Sequence, residues 1–98
     1  MVTYEDLCMD VKEIGERHNV EYEVFPMRDY SYKDGERAKG KITEMRITFR
    51  ITSVDSHRAY TYSIAPWMWK QFQKDDNAYN EFIQYLGNLV RRSLLYSL

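Results

Sequence analysis

The chain is poor in several residue types that usually announce chemistry. Its 98 residues include one cysteine, Cys8, two histidines, two prolines and four glycines. A single thiol excludes an internal disulfide and any zinc site built on several cysteines. With two histidines, carboxylates would have to supply most of a metal site, and no paired spacing of acids suggests one. No metal and no cofactor is therefore expected. Gly15, Gly35, Gly40 and Gly87 stand singly, which excludes a glycine-rich phosphate loop. No apolar run approaches the roughly 20 residues of a membrane helix, and the charged start does not read as a signal peptide. An excess of charge of one sign is also missing. Lys and Arg number 14 against 15 Asp and Glu, so bulk charge alone would not recruit nucleic acid.

What remains describes one small domain, residues 1–98, with a real core and no linker or repeat. Hydrophobic residues make up 44% and charged residues 30%, the balance of a soluble globular chain. Aromatic residues reach 15%, with nine Tyr and two Trp, and that surplus needs a place in the fold.

Residues 4–18 have the pattern of a helix. Tyr4, Leu7, Val11, Ile14 and His18 recur at spacings of three and four, and Thr3 with Asp6 resembles a capping box. Asn19 supplies a stop. The period then changes to two. Val20, Tyr22 and Val24 alternate with acids; Met45, Ile47, Phe49 and Ile51 alternate with polar residues; Tyr60, Tyr62 and Ile64 form a third such run.

Asp34-Gly35 is the strongest hairpin signal in the chain. Pairing Lys33 with Glu36 sets Tyr22 against Ile47, Val24 against Met45 and Glu23 against Arg46. The strands then span about 20 to 33 and about 36 to 54, with Pro26 requiring an edge or a bulge. The next turn, around residues 54–58, admits a two-residue or a four-residue loop. Pro66 opens a short apolar helix, Asp75-Asp76-Asn77 reads as a break and new N-cap, and a single kinked helix over 66–97 is the alternative. The expected fold class is α+β: a single layer of three-stranded antiparallel meander sheet, helices on one face, order α-β-β-β-α-α, and a long hairpin arm between the first two strands. Its expected core includes Tyr22, Val24 and Tyr62 beside the aliphatic residues.

No catalytic constellation emerges, and the chain is expected not to be an enzyme. Ser53, Asp55, Ser56 and His57 hold the residue types of a triad, but neighbours on a tight turn point apart. Cys8 lies on an acidic helix, which lacks the electropositive setting of a nucleophilic thiol.

Binding surfaces are more legible. Arg28, Lys33, Arg37, Lys39 and Lys41 are interleaved with Tyr30 and Tyr32 on the hairpin arm. Arg46 and Arg50 fall on the outer sheet face. Tyr and Arg are common at interface hot spots, and bases can stack on Tyr, so the arm suits a protein partner or a nucleic acid. Trp67 and Trp69 stand about 200° apart on a helix, so one of them is left for a partner. Leu94, Leu95, Tyr96 and Leu98, with Arg91 and Arg92 beside them, suggest a homodimer contact. The charge is divided: residues 1–27 hold seven acids and two bases, and residues 28–60 eight bases and five acids.

The order α-β-β-β-α resembles the double-stranded-RNA-binding domain over most of the chain. In that family the last helix begins with a lysine cluster on the phosphates; the matching stretch here is Lys74-Asp75-Asp76-Asn77. The order is also similar to some small phage-encoded inhibitors of bacterial defence, such as certain anti-CRISPR proteins. That likeness implies an inhibitor or adaptor acting by protein-protein interaction in the cytoplasm, that of the host cell if the protein is viral.

Overall fold

A computed structural model describes the backbone of residues 1–33, 36–52 and 57–95, and the side chains of residues 1–26, 44–51 and 58–94. Helix α1 spans Tyr4–Arg17. Its start is the expected capping box: the Asp6 N–H donates to the Thr3 hydroxyl at 3.2 Å, and the Thr3 N–H donates to the Asp6 carboxylate at 2.9 Å. Its end is closed by Asn19 in the left-handed conformation, φ 55°. The N–H groups of Asn19 and Val20 donate to the carbonyls of Glu16 and Gly15, the paired bonds of a Schellman motif.

Strands β1 (Glu21–Lys33), β2 (Glu36–Thr52) and β3 (His57–Ile64) form the antiparallel sheet in the order β1-β2-β3. Near the turn the register is the expected one, Lys33 opposite Glu36 and Tyr30 opposite Lys39. It then shifts between Met27 and Tyr30, so Val24 pairs with Ile47, Tyr22 with Phe49 and Glu23 with Thr48. The expected pairs lower in the hairpin are thus displaced by two residues. Extra residues of β2 near Gly40 and Thr43 absorb the difference as bulges. A two-residue shift conserves side-chain parity, so each strand keeps its inward and outward faces. Pro26 is tolerated because β1 is an edge strand. Between β2 and β3, Thr52 pairs with His57, which is the four-residue connection of the two considered.

Helix α2 spans Pro66–Lys74 and α3 spans Asp76–Val90. One extended residue, Asp75, separates them, and its carboxylate accepts from the Ala78 N–H at 3.1 Å. The kinked single helix is therefore excluded. A π-helical turn, Arg91–Leu95, continues α3.

The helices cover one sheet face. Met45, Ile47, Phe49 and Ile64 meet Leu7, Val11, Ile14, Phe72, Phe82, Leu86 and Val90 in one core. Burying a side chain of this size contributes about 1.5–3 kcal/mol relative to leaving it exposed. Phe72 stacks on Phe82 at 4.9 Å, and Tyr62 tilts against Phe82 at 5.3 Å. Tyr22 departs from expectation: it is 40% exposed. A Cβ on Gly15 would lie 2.4 Å from the Tyr22 Cδ1, so the ring lies across the bare backbone of α1 rather than inside the core. Val24 and Tyr62 are half-buried at the margin, and Val2, Trp69, Tyr79 and Leu94 join the core instead.

Candidate protein-binding surface

Alternation along the strands decides what the uncovered face carries. Reading across the sheet, Phe25, Arg46 and Ser63 form one row, Glu23, Thr48 and Thr61 the next, and Glu21, Arg50 and Ala59 the third. Thr48 and Thr61 share a hydrogen bond of 3.2 Å between their hydroxyls. Arg50 reaches Glu23 at 3.8 Å, a solvent-exposed pair contributing at most about 1 kcal/mol. This diagonal contact replaces the expected Glu23–Arg46 pairing and follows from the two-residue shift. Arg46 has no ion-pair partner among the described residues. It stands opposite Phe25, whose ring is 54% exposed. An unpaired guanidinium beside an exposed aromatic ring is the pairing of residue types found at interface hot spots.

The same two strands run on past the third. Pairing of β2 with β3 ends at Met45 and Ile64, while β1 and β2 remain paired out to Lys33 and Glu36. Six residues of β1 beyond Met27 extend the sheet as a two-stranded ribbon on the order of 20 Å long. The chain accordingly measures 53 × 33 × 18 Å. Arg28, Tyr30, Tyr32, Lys33, Arg37, Lys39 and Lys41 occupy this ribbon by backbone position, and their side chains lie outside the described residues.

Of the two tryptophans, Trp67 is 67% exposed and Trp69 only 5%. Trp69 is core, so the partner-facing role falls to Trp67 alone. At the C-terminal end Leu94 is likewise buried, at 4%, and is not available to a second copy. Arg91 and Arg92 are exposed; the Leu95 side chain, Tyr96 and Leu98 lie outside the described residues.

No protein-family model, curated protein or solved structure matches this chain. Function has to be argued from the surface itself. At the position of the lysine cluster in the double-stranded-RNA-binding domain, Asp75 caps α3 and Asp76 occupies its first turn. Carboxylates there are favoured by the helix dipole and repel phosphate.

Among the described residues no group of three or more His, Cys, Asp or Glu is placed to hold a metal ion. Ser53, Asp55 and Ser56 lie outside the described residues, and the His57 backbone pairs with Thr52. Cys8 is half-buried, and the His18 ring Nδ1 lies 2.9 Å from the Ile14 carbonyl. No helix among the described residues is long and apolar enough to cross a membrane.

One feature escaped the sequence pattern. A groove of about 520 Å³ separates α1 from α3, with Ile14 and Ile83 among its lining. Near it the Tyr79 hydroxyl donates to the Asp10 carboxylate at 2.5 Å. Burial and that acidic partner push the Tyr79 phenol well above its ordinary value. Heptad-like stripes locate each helix against the sheet, but only the fold shows how far apart two helices stand.

Proposed function

We propose that this is a small non-enzymatic protein-binding module, an inhibitor or adaptor, that engages its partner through the hairpin ribbon and the outer sheet face. The observation that carries this reading is the ribbon itself. A two-stranded hairpin is marginal alone in water, and here it projects beyond the third strand. Continuous with its base is the uncovered face bearing Phe25 and Arg46. Tyr30 and Tyr32 on the ribbon would supply large contact area at low entropic cost. Action on a host protein in the cytoplasm, as for a phage-encoded inhibitor, is the finer form of this reading.

The test replaces residues 28–43 with an Asn-Gly turn joining Met27 to Glu44, which β1–β2 pairing already sets opposite one another. Wild-type chain, the shortened chain and Phe25→Ala are each used to capture partners from nuclease-treated lysate of the native host. A protein retained by the wild type, lost with the shortened chain and weakened about tenfold or more by Phe25→Ala supports the proposal. Equal capture by the shortened chain would sink it. Capture abolished by nuclease, with affinity falling steeply in salt, would assign the ribbon to nucleic acid instead.

A further inference from the structure

The groove between α1 and α3 lies between two helices of the same charge polarity. A second hollow lies towards the N-terminal ends of the two helices, where Asp6 and Asp10 of α1 meet Asp76 and Tyr79 of α3, with the Met1 ammonium 4.0 Å from Asp76. Towards the other end, the groove is lined by Arg17 of α1, paired with Glu13 at 2.6 Å, and by Arg91 beyond α3. The helices therefore run parallel, each from an acidic first turn to an arginine-bearing end. Carboxylates at both N-termini and guanidiniums at both C-termini satisfy the two helix dipoles. Side by side, however, the parallel helices leave a face graded from negative to positive over about 20 Å.

Gly87 adds a second observation. It lines the groove, and a Cβ built there would meet nothing within 4 Å. Glycine is an unfavourable residue in a helix, and no packing among the described residues requires it at this point. The space above Gly87 is open to a group from outside.

We infer that the α1/α3 face is a homodimer contact in which a second copy packs antiparallel about a two-fold axis. An isologous interface must be self-complementary. Rotation by a two-fold axis perpendicular to the groove sets the acidic end of each copy against the arginine end of the other, and opposes the helix dipoles as well. The face is two helices wide, which makes this a small interface, with a dissociation constant on the order of 10–100 μM. It leaves the outer sheet face and the ribbon of both copies uncovered.

Sedimentation equilibrium from about 1 to about 500 μM tests this, a range that brackets the expected constant. The wild type should be a monomer–dimer mixture. In this arrangement Asp76 of each copy faces Arg91 of the other, so Asp76→Arg sets arginine against arginine, Arg91→Asp sets acid against acid, and each variant alone should dimerise at least tenfold more weakly. Mixed together, the two variants have complementary ends at both contacts and should recover dimerisation as a heterodimer. That recovery separates the proposed contact from a folding defect in either variant. A wild type monomeric throughout, or variants that dimerise as it does, or a mixture that stays monomeric, would overturn the proposal.

Discussion

Gly15 and Gly87 are both helical glycines, yet their surroundings differ in a way that fixes opposite outcomes for alanine. At Gly15 a Cβ would stand 3.0 Å from the Tyr22 Cβ and nearer still to its ring, so β1 would have to move. Overpacking of that kind costs about 1–3 kcal/mol, more than the gain of about 0.5–1 kcal/mol in helix preference. Gly15→Ala should therefore lower the urea midpoint, and a second substitution, Tyr22→Ala, should relieve the part due to the ring, the close approach of the residue 22 Cβ remaining. Gly87→Ala meets nothing and should raise stability by about 0.5–1 kcal/mol. Tyr79 gives a pH dependence of definite sign. Its phenol is held neutral in the fold by burial and by Asp10, but ionises near its ordinary value, about pH 10, once unfolded. A group with a raised folded pKa contributes its stability below the unfolded value and loses it as pH rises beyond. Urea unfolding followed between pH ~8 and pH ~11 should show a steep alkaline decline, which Tyr79→Phe flattens. An unchanged slope in that variant would refute the assignment.

Among the elements, helices are legible in the sequence where the signal is local. Thr3, Asp6 and Asn19 close α1 with hydrogen bonds inside a few residues, and the apolar stripe between them is the stripe that is buried. Asp75 belongs to the same class: its carboxylate answers the Ala78 N–H, and that bond separates α2 from α3. Asp75→Ala should cost about 1 kcal/mol, with Asp75→Ser recovering most of it, both read from thermal melts. The strands show where local reading stops. Asp34-Gly35 announces the turn and the faces follow from alternation, but bulges near Gly40 and Thr43 change the pairing without changing either face. No residue-by-residue pattern reports a two-residue slip, because the inward set stays inward. The ion pair moved accordingly, from Glu23 with Arg46 to Glu23 with Arg50. The candidate binding surface was half legible for the same reason. Arg46 and Arg50 fall outward by parity, whereas nothing in the pattern marks Phe25, and helical spacing leaves open which of Trp67 and Trp69 is exposed. Phe25 is exposed because the outward phase of β1 carries it to the uncovered face, and Trp69 is buried because α2 turns that flank to the sheet.

At the scale of the molecule, the ribbon makes the chain longer than its length in residues requires. A compact chain of this size has a radius of gyration of about 13 Å, against 15.5 Å for the Cα atoms here. The core ends at Met45 and Ile64 on this side, where β3 stops pairing, so the body does not need the ribbon to close its buried cluster. Replacing residues 28–43 with Asn-Gly should then leave a cooperatively folded body of near-unchanged melting temperature. Its radius of gyration should fall to about 12 Å in small-angle scattering at dilutions where the chain is monomeric. The alternative is that the ribbon is part of the folding unit, its long pairing with β2 holding β1 in register through the bulges. In that case the shortened chain would lose its cooperative melt, and binding lost on excision would report unfolding rather than a missing contact. Scattering and melting measured on the same sample separate the two. A compact, cooperative body that no longer binds leaves the ribbon as the part of the protein that exists for a partner.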